Sequence, residues 1–360
     1  MPLSVSIGKP GDLIAAVPAL LGFTPTRSLV LIVLKYDTSC AGAASVQAIL
    51  RTASPLEQTR MPDSEIGQAA IRGCLHAEDF AVLAVLIDDR LSRPTETSPI
   101  DERWRSILDA LRQNLESKGL ALAEAWSAQS ITTNVQWWDE LAPEQSGHLP
   151  DPATSLVAAE LAGNGRQIHH NRAELTELVE VDVALRDRVT AALPEAAADA
   201  HRRLARTVLI GDPDGYTRQA LWQLIHVIKH ACGLEVPEPR ALAEVAVALR
   251  DTAVRDVMFG VAAGEHAARA EHLWSILTRA LPDPDRAEAA TLFAFNAYLR
   301  GDGVLAGIAV DAALSSDPEH RMAHLLGIAL SSVMPPQRLQ RLCRTGIEAA
   351  VELRVDIGAA

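Results

Sequence analysis

Apolar positions follow two regimes along the chain. Up to about residue 140, short apolar runs alternate with segments of helical periodicity, and beyond it helical periodicity dominates. Leu3-Ser4-Val5-Ser6-Ile7 alternates with period two and predicts a strand, which Gly8-Lys9-Pro10-Gly11-Asp12 breaks. Asp12 is placed to N-cap a helix carrying Leu13, Ile14, Val17, Leu20 and Leu21. Pro18 lacks a backbone donor and predicts a kink or an early stop in that helix. Ser28 to Leu34 and Phe80 to Ile87 read as strands covered on both faces, and Ala44 to Leu50 as a weaker strand. Ser64 to His76 predicts a helix. Asp101 to Lys118 predicts an amphipathic one, with Trp104, Ile107, Leu108, Leu111 and Leu115 on one face and Gly119 at its end. Leu120 to Trp126 and Ile131 to Trp137 predict a closing strand pair. Strands alternating with helices predict an α/β N-terminal layer with a mixed, partly parallel sheet.

The polar, proline-rich stretch 142–152 is the expected linker between an α/β domain over 1–141 and a helical domain over 153–360. Past it only Thr207 to Ile210 offers a doubtful strand. Tyr216, Ala220, Leu224, Val227 and Ala231 share one helix face. Further helices are predicted over 238–259, 265–281, 285–300, 303–316, 319–332 and 336–352, forming an all-α bundle or a short solenoid.

Composition narrows the classes. Of 360 residues 48% are apolar, enough for a sizeable core, and the longest apolar run, Phe80 to Ile87, is far too short to span a membrane. The start, Met1-Pro2-Leu3-Ser4, lacks a secretory pattern, and the expected location is cytoplasmic. The net charge of −13 is spread evenly: residues 1–150 hold 12 basic and 18 acidic side chains, the rest 21 and 28. That evenness argues against a nucleic-acid arm. Arg202-Arg203 with Arg206 is the densest basic cluster and reads as a solvated helix face. Cys40, Cys74, Cys232 and Cys343 are scattered without a Cys-x-x-Cys pair, as in a reducing compartment.

Asp12-Leu13-Ile14-Ala15-Ala16-Val17-Pro18, then Leu21-Gly22-Phe23, Pro25 and Ser28-Leu29-Val30, resembles the opening signature of an uncharacterised, mainly actinobacterial family, domain of unknown function 4192. Val254-Arg255-Asp256 matches a step in that family's helical half. Leu299-Arg300-Gly301-Asp302-Gly303-Val304-Leu305-Ala306, with Ala312-Ala313-Leu314 and Asp317-Pro318, matches its C-terminal signature. The resemblance implies no activity. Phe293, Ala294, Ala306, Val310, Ala313 and Pro318 fall at tetratricopeptide-like spacing, which predicts a helical hairpin over about 285–318.

Candidate chemistry is sparse. Gly8, Lys9, Gly11 and Asp12 follow a strand and open a helix, where phosphate loops sit, but they lack the spacing of either phosphate-loop motif. Asp88, Asp89 and Arg90 follow the most buried strand, and Lys35-Tyr36-Asp37 would share their edge if the two strands are parallel. Neighbouring residues at a strand end point oppositely, so Asp88 and Asp89 are not expected to face one ligand. Trp137-Trp138-Asp139 offers a partner surface if one ring faces solvent, or a packing role between domains. His226 with His230, near Cys232, and His320 with His324 each share a helix face, but zinc needs at least three well-placed ligands and no Glu of the His-Glu-x-x-His pattern is present, so no metal is expected. No cofactor motif is present.

Two functions remain. The first is a non-enzymatic scaffold or ligand sensor whose helical half binds a protein partner or self-associates. The second is a nucleotide- or phosphometabolite-binding enzyme using the strand ends near Gly8, Asp37 and Asp88.

Overall fold

A computed structural model describes residues 9–36, 44–54, 56, 80–94, 102–117, 119–142, 144–163, 168–231, 236–332 and 334–358. The expected strand at Leu3 to Ile7, the helix at Ser64 to His76, and Cys40, Cys74 and Cys232 lie outside them. The chain forms two compact units, Met1–Glu174 with Ser331–Met334, and Leu175–Leu330 with Pro335–Ala360.

The first unit is built on six strands: β1 (Ser28–Tyr36), β2 (Ala44–Ala53), β3 (Phe80–Ile87), β4 (Ala121–Ala128), β5 (Gln136–Asp139) and β6 (Ser146–His148). Their order is β2-β1-β3-β4-β5-β6. Only β3 and β4 pair in parallel, joined through the helix α2 (Glu102–Glu116), so the sheet is mixed as expected. The continuous apolar runs of β1 and β3 are explained by cover on both faces. Leu29, Leu31, Val33, Val82, Ala84 and Leu86 pack under Trp104, Ile107, Leu108, Leu111 and Leu115 of α2. Toward the other face, Ala16, Ala19 and Leu20 of α1 (Pro10–Leu21) cluster with Ile49 of β2 and with Val157 and Ala158 of α3 (Leu156–Gly163).

Three local expectations shift. Helix α1 starts two residues earlier than Asp12, because Pro10 takes its first turn with its φ already set; Lys9 is the N-cap, without a side-chain bond, and Asp12 lies inside the first turn. Pro18 does not stop the helix. It costs one ladder bond close to the end, and Gly22, at φ +81°, closes α1 by donating its N–H to Pro18 O. The strand expected from Ile131 begins at Gln136 instead, since Asn134 turns the chain at φ +67°. Within the stretch 142–152, Ser146–His148 pairs with β5 as a sixth strand.

The second unit is all-helical. Its elements are α5 (Val183–Leu209), α6 (Gly215–His230), α7 (Pro239–Leu249), α8 (Thr252–Val261), α9 (Ala267–Ala280), α10 (Asp285–Leu299), α11 (Gly303–Ser316), α12 (Arg321–Ser331) and α13 (Gln340–Glu352); the short α4 (Arg172–Glu177) spans the junction between units. The doubtful strand at Thr207 to Ile210 is the last turn of α5 and its C-cap, so β-branched composition yields there to a helix. The single helix expected over 238–259 divides where Asp251 caps α8 by accepting from Ala253 N–H. Helices α10 and α11 pack along their length as a hairpin, turned by Gly301 at φ +86° and capped by Asp302. Gly260 of α8 and Gly346 of α13 let those helices touch: a Cβ on Gly346 would sit 2.6 Å from Gly260 N. Among the described residues no helix is long and apolar enough to cross a membrane.

Candidate functional site

The carboxyl ends of β3 and β4 share one sheet edge, the position where open α/β sheets hold ligands. Because β1 runs antiparallel to β3, Ser28 partners Ile87 at this edge and Lys35 partners Phe80 at the opposite one. The shared edge envisaged for Lys35-Tyr36-Asp37 and Asp88-Asp89 is thereby removed. Asp37 and Gly8 themselves lie outside the described residues.

Asp88 is fully buried. Its carboxylate accepts from Ser54 Oγ at 2.6 Å, from Arg90 Nε at 2.7 Å, from Arg90 Nη2 at 2.6 Å and from the Arg90 backbone at 3.1 Å. Burial alone would raise its pKa, but the Arg90 guanidinium and the Ser54 hydroxyl outweigh burial and bring it down to about 2. Asp89 points away and takes a two-pronged bond from Arg27, at 2.7 and 3.1 Å, which lowers its pKa. Arg27 adopts a left-handed backbone at φ +41°, and its carbonyl accepts from Ser54 N at 2.7 Å. Gln129 Nε2 donates to Leu91 O at 2.7 Å, tying the loop after β3 to the end of β4.

Trp137, Trp138 and Asp139 are all buried, at 8%, 3% and 1% exposure, so no tryptophan here offers a solvent-facing surface. The reason is that the sheet is covered on both sides. Trp138 joins the core under α2, while Trp137 lies against Gly147 and against Gly11 of α1, where a Cβ would come within 2.9 and 3.0 Å of its Nε1. Trp137 partners Ala128, itself paired with Ile87, so Gly11 lies toward the same end of the sheet as Asp88–Arg90, beyond two strand spacings (about 10 Å). Lys9 and Asp12 are exposed.

Behind the edge, Trp138 Nε1 donates to Glu140 Oε1 at 2.8 Å. Burial pushes the Glu140 carboxyl up, against the pull of Ser127, Trp138 and Trp104. On the opposite face of the sheet, burial and the neighbouring Asp139 carboxyl raise Glu124. Asp139 accepts from Leu141 N at 2.7 Å and from Ala142 N at 3.0 Å, closing the turn after β5.

Sequence reasoning singled out Asp88, Asp89 and Arg90 but not Arg27, Ser54 or Glu140. Arg27 and Ser54 carry no local signal, because only strand register brings them to β3. Glu140 had one: in period-two alternation it shares the face of Trp138.

In the helical unit, Leu204, Val208, Leu209 and Ile210 at the end of α5 are 41%, 64%, 86% and 71% exposed, and Trp222 of α6 is 54% exposed. The histidine pairs are engaged locally: His230 Nδ1 meets His226 O at 2.8 Å, and His320 Nδ1 accepts from Ala323 N–H at the start of α12. Among the described residues no three metal-ligating side chains converge. Arg255 reaches Glu288 at 3.3 Å, and Arg300 binds Glu271 at 2.7 Å, so both positions brace helices.

A family model described as domain of unknown function (DUF4192) matches residues 10–337. No curated protein and no solved structure matches the chain.

Proposed function

The chain belongs to the DUF4192 family, a domain of unknown function, and from its geometry we propose a non-enzymatic partner-binding scaffold of the cytoplasm. In this reading the α/β unit is a packed core whose edge carboxylates, Asp88 and Asp89, are paired within the chain, and the helical unit carries the docking surface. The observation that carries it is the apolar end of α5, where Val208, Leu209 and Ile210 stand 64–86% exposed in succession. Large exposed apolar patches mark interaction sites on folded proteins. The sheet edge supports the same reading: Asp88 and Asp89 each spend their charge on an arginine of the chain itself, and a carboxyl held at about 2 is poorly matched to proton transfer near neutrality.

The alternative is a nucleotide- or phosphometabolite-binding enzyme, favoured by the placement of Gly11 and Asp88–Arg90 toward one end of the sheet. A thermal-shift screen with nucleotides, sugar phosphates and Mg²⁺ separates the two. The scaffold reading expects no ligand to raise the melting temperature; a saturable rise, abolished by Arg90→Ala, establishes ligand binding at this edge and favours the alternative instead.

A further inference from the structure

We propose that the end of α5 and the turn into α6 dock a second copy of the chain about a two-fold axis, an inference that rests on the partner-binding reading and names the partner. Three features of this surface support it.

The first is apolar area. Leu204, Val208, Leu209 and Ile210 lie within seven residues, on the last two turns of α5 and its cap, and all are exposed.

The second is the order of charge around that area. Arg206 lies one turn before Leu209 and Ile210, while Asp212 and Asp214 lie in the turn directly after them. Arg206 has no ion pair or side-chain hydrogen bond among the described residues. Asp214 stands at the N-cap of α6 without a side-chain cap bond. An axis passing between Leu209 and Ile210 sets Arg206 of each copy opposite Asp214 of the other, with Asp212 held by Arg218 of its own chain and apolar side chains meeting apolar ones at the centre. A surface with cations on one flank of an apolar centre and carboxylates on the other is its own complement under two-fold rotation, the commonest symmetry of soluble oligomers. An anionic membrane suits it less well, because Asp214 would be brought against like charge.

The third is rigidity. Gly211, at φ +74°, ends the helix; Gly211 N–H donates to Val208 O, Asp212 N–H donates to Thr207 O, and Arg218 clamps the Asp212 carboxylate at 2.8 Å. At Gly215 a Cβ would lie 2.6 Å from Asp212 Oδ2, so the turn is tightly closed. A preorganised tip loses little freedom on docking.

The test is sedimentation of the full chain over a concentration series at about 150 mM salt, where the −13 charges of two copies are screened beyond about 8 Å. The mass is expected to climb from 38.6 kDa toward twice that value. Leu209→Asp is expected to weaken association about tenfold or more. Leu325→Asp, on the exposed face of α12, is expected to leave it intact. Arg206→Asp and Asp214→Arg should each weaken association, and the double variant should restore it, a rescue that a folding fault cannot produce. A wild-type chain that stays monomeric throughout, or a dimer indifferent to Leu209→Asp, overturns the inference. Those outcomes are distinct from a ligand-induced thermal shift, which overturns the partner-binding reading itself.

Discussion

The carboxyl edge of β3 and β4 and the end of α5 are both polar–apolar boundaries, yet they are finished in opposite ways. At the edge, charges close on one another: Asp88 on Ser54 and Arg90, Asp89 on Arg27, and Trp138 on Glu140. At the end of α5, large apolar side chains and the charges of Arg206 and Asp214 are left to solvent. Titratable residues at a strand end invite a catalytic reading from sequence, but their partners decide what they do. A carboxylate with its hydrogen bonds satisfied inside the chain holds the fold together. An apolar side chain exposed on a rigid turn gains from a second surface.

Substitutions at the two places sharpen this contrast, and the largest effects belong to the edge. Trp138→Ala empties a core position under α2 and strips a donor from Glu140, and it should destabilise the α/β unit by about 4 kcal/mol in urea unfolding. Asp88→Asn should cost about 2 kcal/mol near neutral pH, since its pKa falls from 3.8 to about 2 on folding. The folded pKa is the lower one, so the wild-type contribution is complete above about pH 4 and fades as pH falls toward 2. The variant should lack that acid limb in a pH series of melting curves.

Glu140 should behave with the opposite sign. Its folded pKa is raised, so the folded state holds its proton more tightly and stability declines as pH rises through that pKa. Glu140→Gln should flatten this decline and leave stability at neutral pH unchanged or higher by up to about 1 kcal/mol, as read from unfolding midpoints between pH 4 and 8. The smallest effect is expected at the end of α5. Leu209→Asp should move stability by no more than about 0.5 kcal/mol while weakening self-association about tenfold or more, because that side chain has little folded-state packing to lose. A large loss of stability there would erase the contrast.

Much of the fold is legible in the chain. Phe80 to Ile87 announces a strand buried on both faces, and the spacing from Trp104 to Leu115 announces the helix that covers one of them. Strand direction is not legible. Apolar composition is the same for parallel and antiparallel neighbours, so the edge that parallel pairing would have given Lys35 and Asp88 in common failed on pairing alone. Burial is not legible either: Trp137-Trp138 left an exposed ring and a packing role open, and both rings are buried, because Gly11 and Gly147 make room for one indole and α2 covers the other. At Thr207 to Ile210 the error runs the other way. A short run rich in β-branched residues offers a doubtful strand, whereas the structure makes it a helix end with Thr207 buried and Val208, Leu209 and Ile210 exposed. The residues that complete the edge, Arg27 just before β1 and Ser54 just after β2, are distant in sequence from β3, and only register brings Arg27 to Asp89 and Ser54 to Asp88.

Hydrogen–deuterium exchange of the full chain, at low and high protein concentration and with or without a mixture of nucleotides and Mg²⁺, addresses both places at once. A closed edge and an open docking surface predict protection over 204–216 that grows with concentration, and no nucleotide-dependent change at Arg27, Asp88–Leu91 or Gln129. Nucleotide-dependent protection at those edge residues, with 204–216 unchanged at every concentration, would contradict the account.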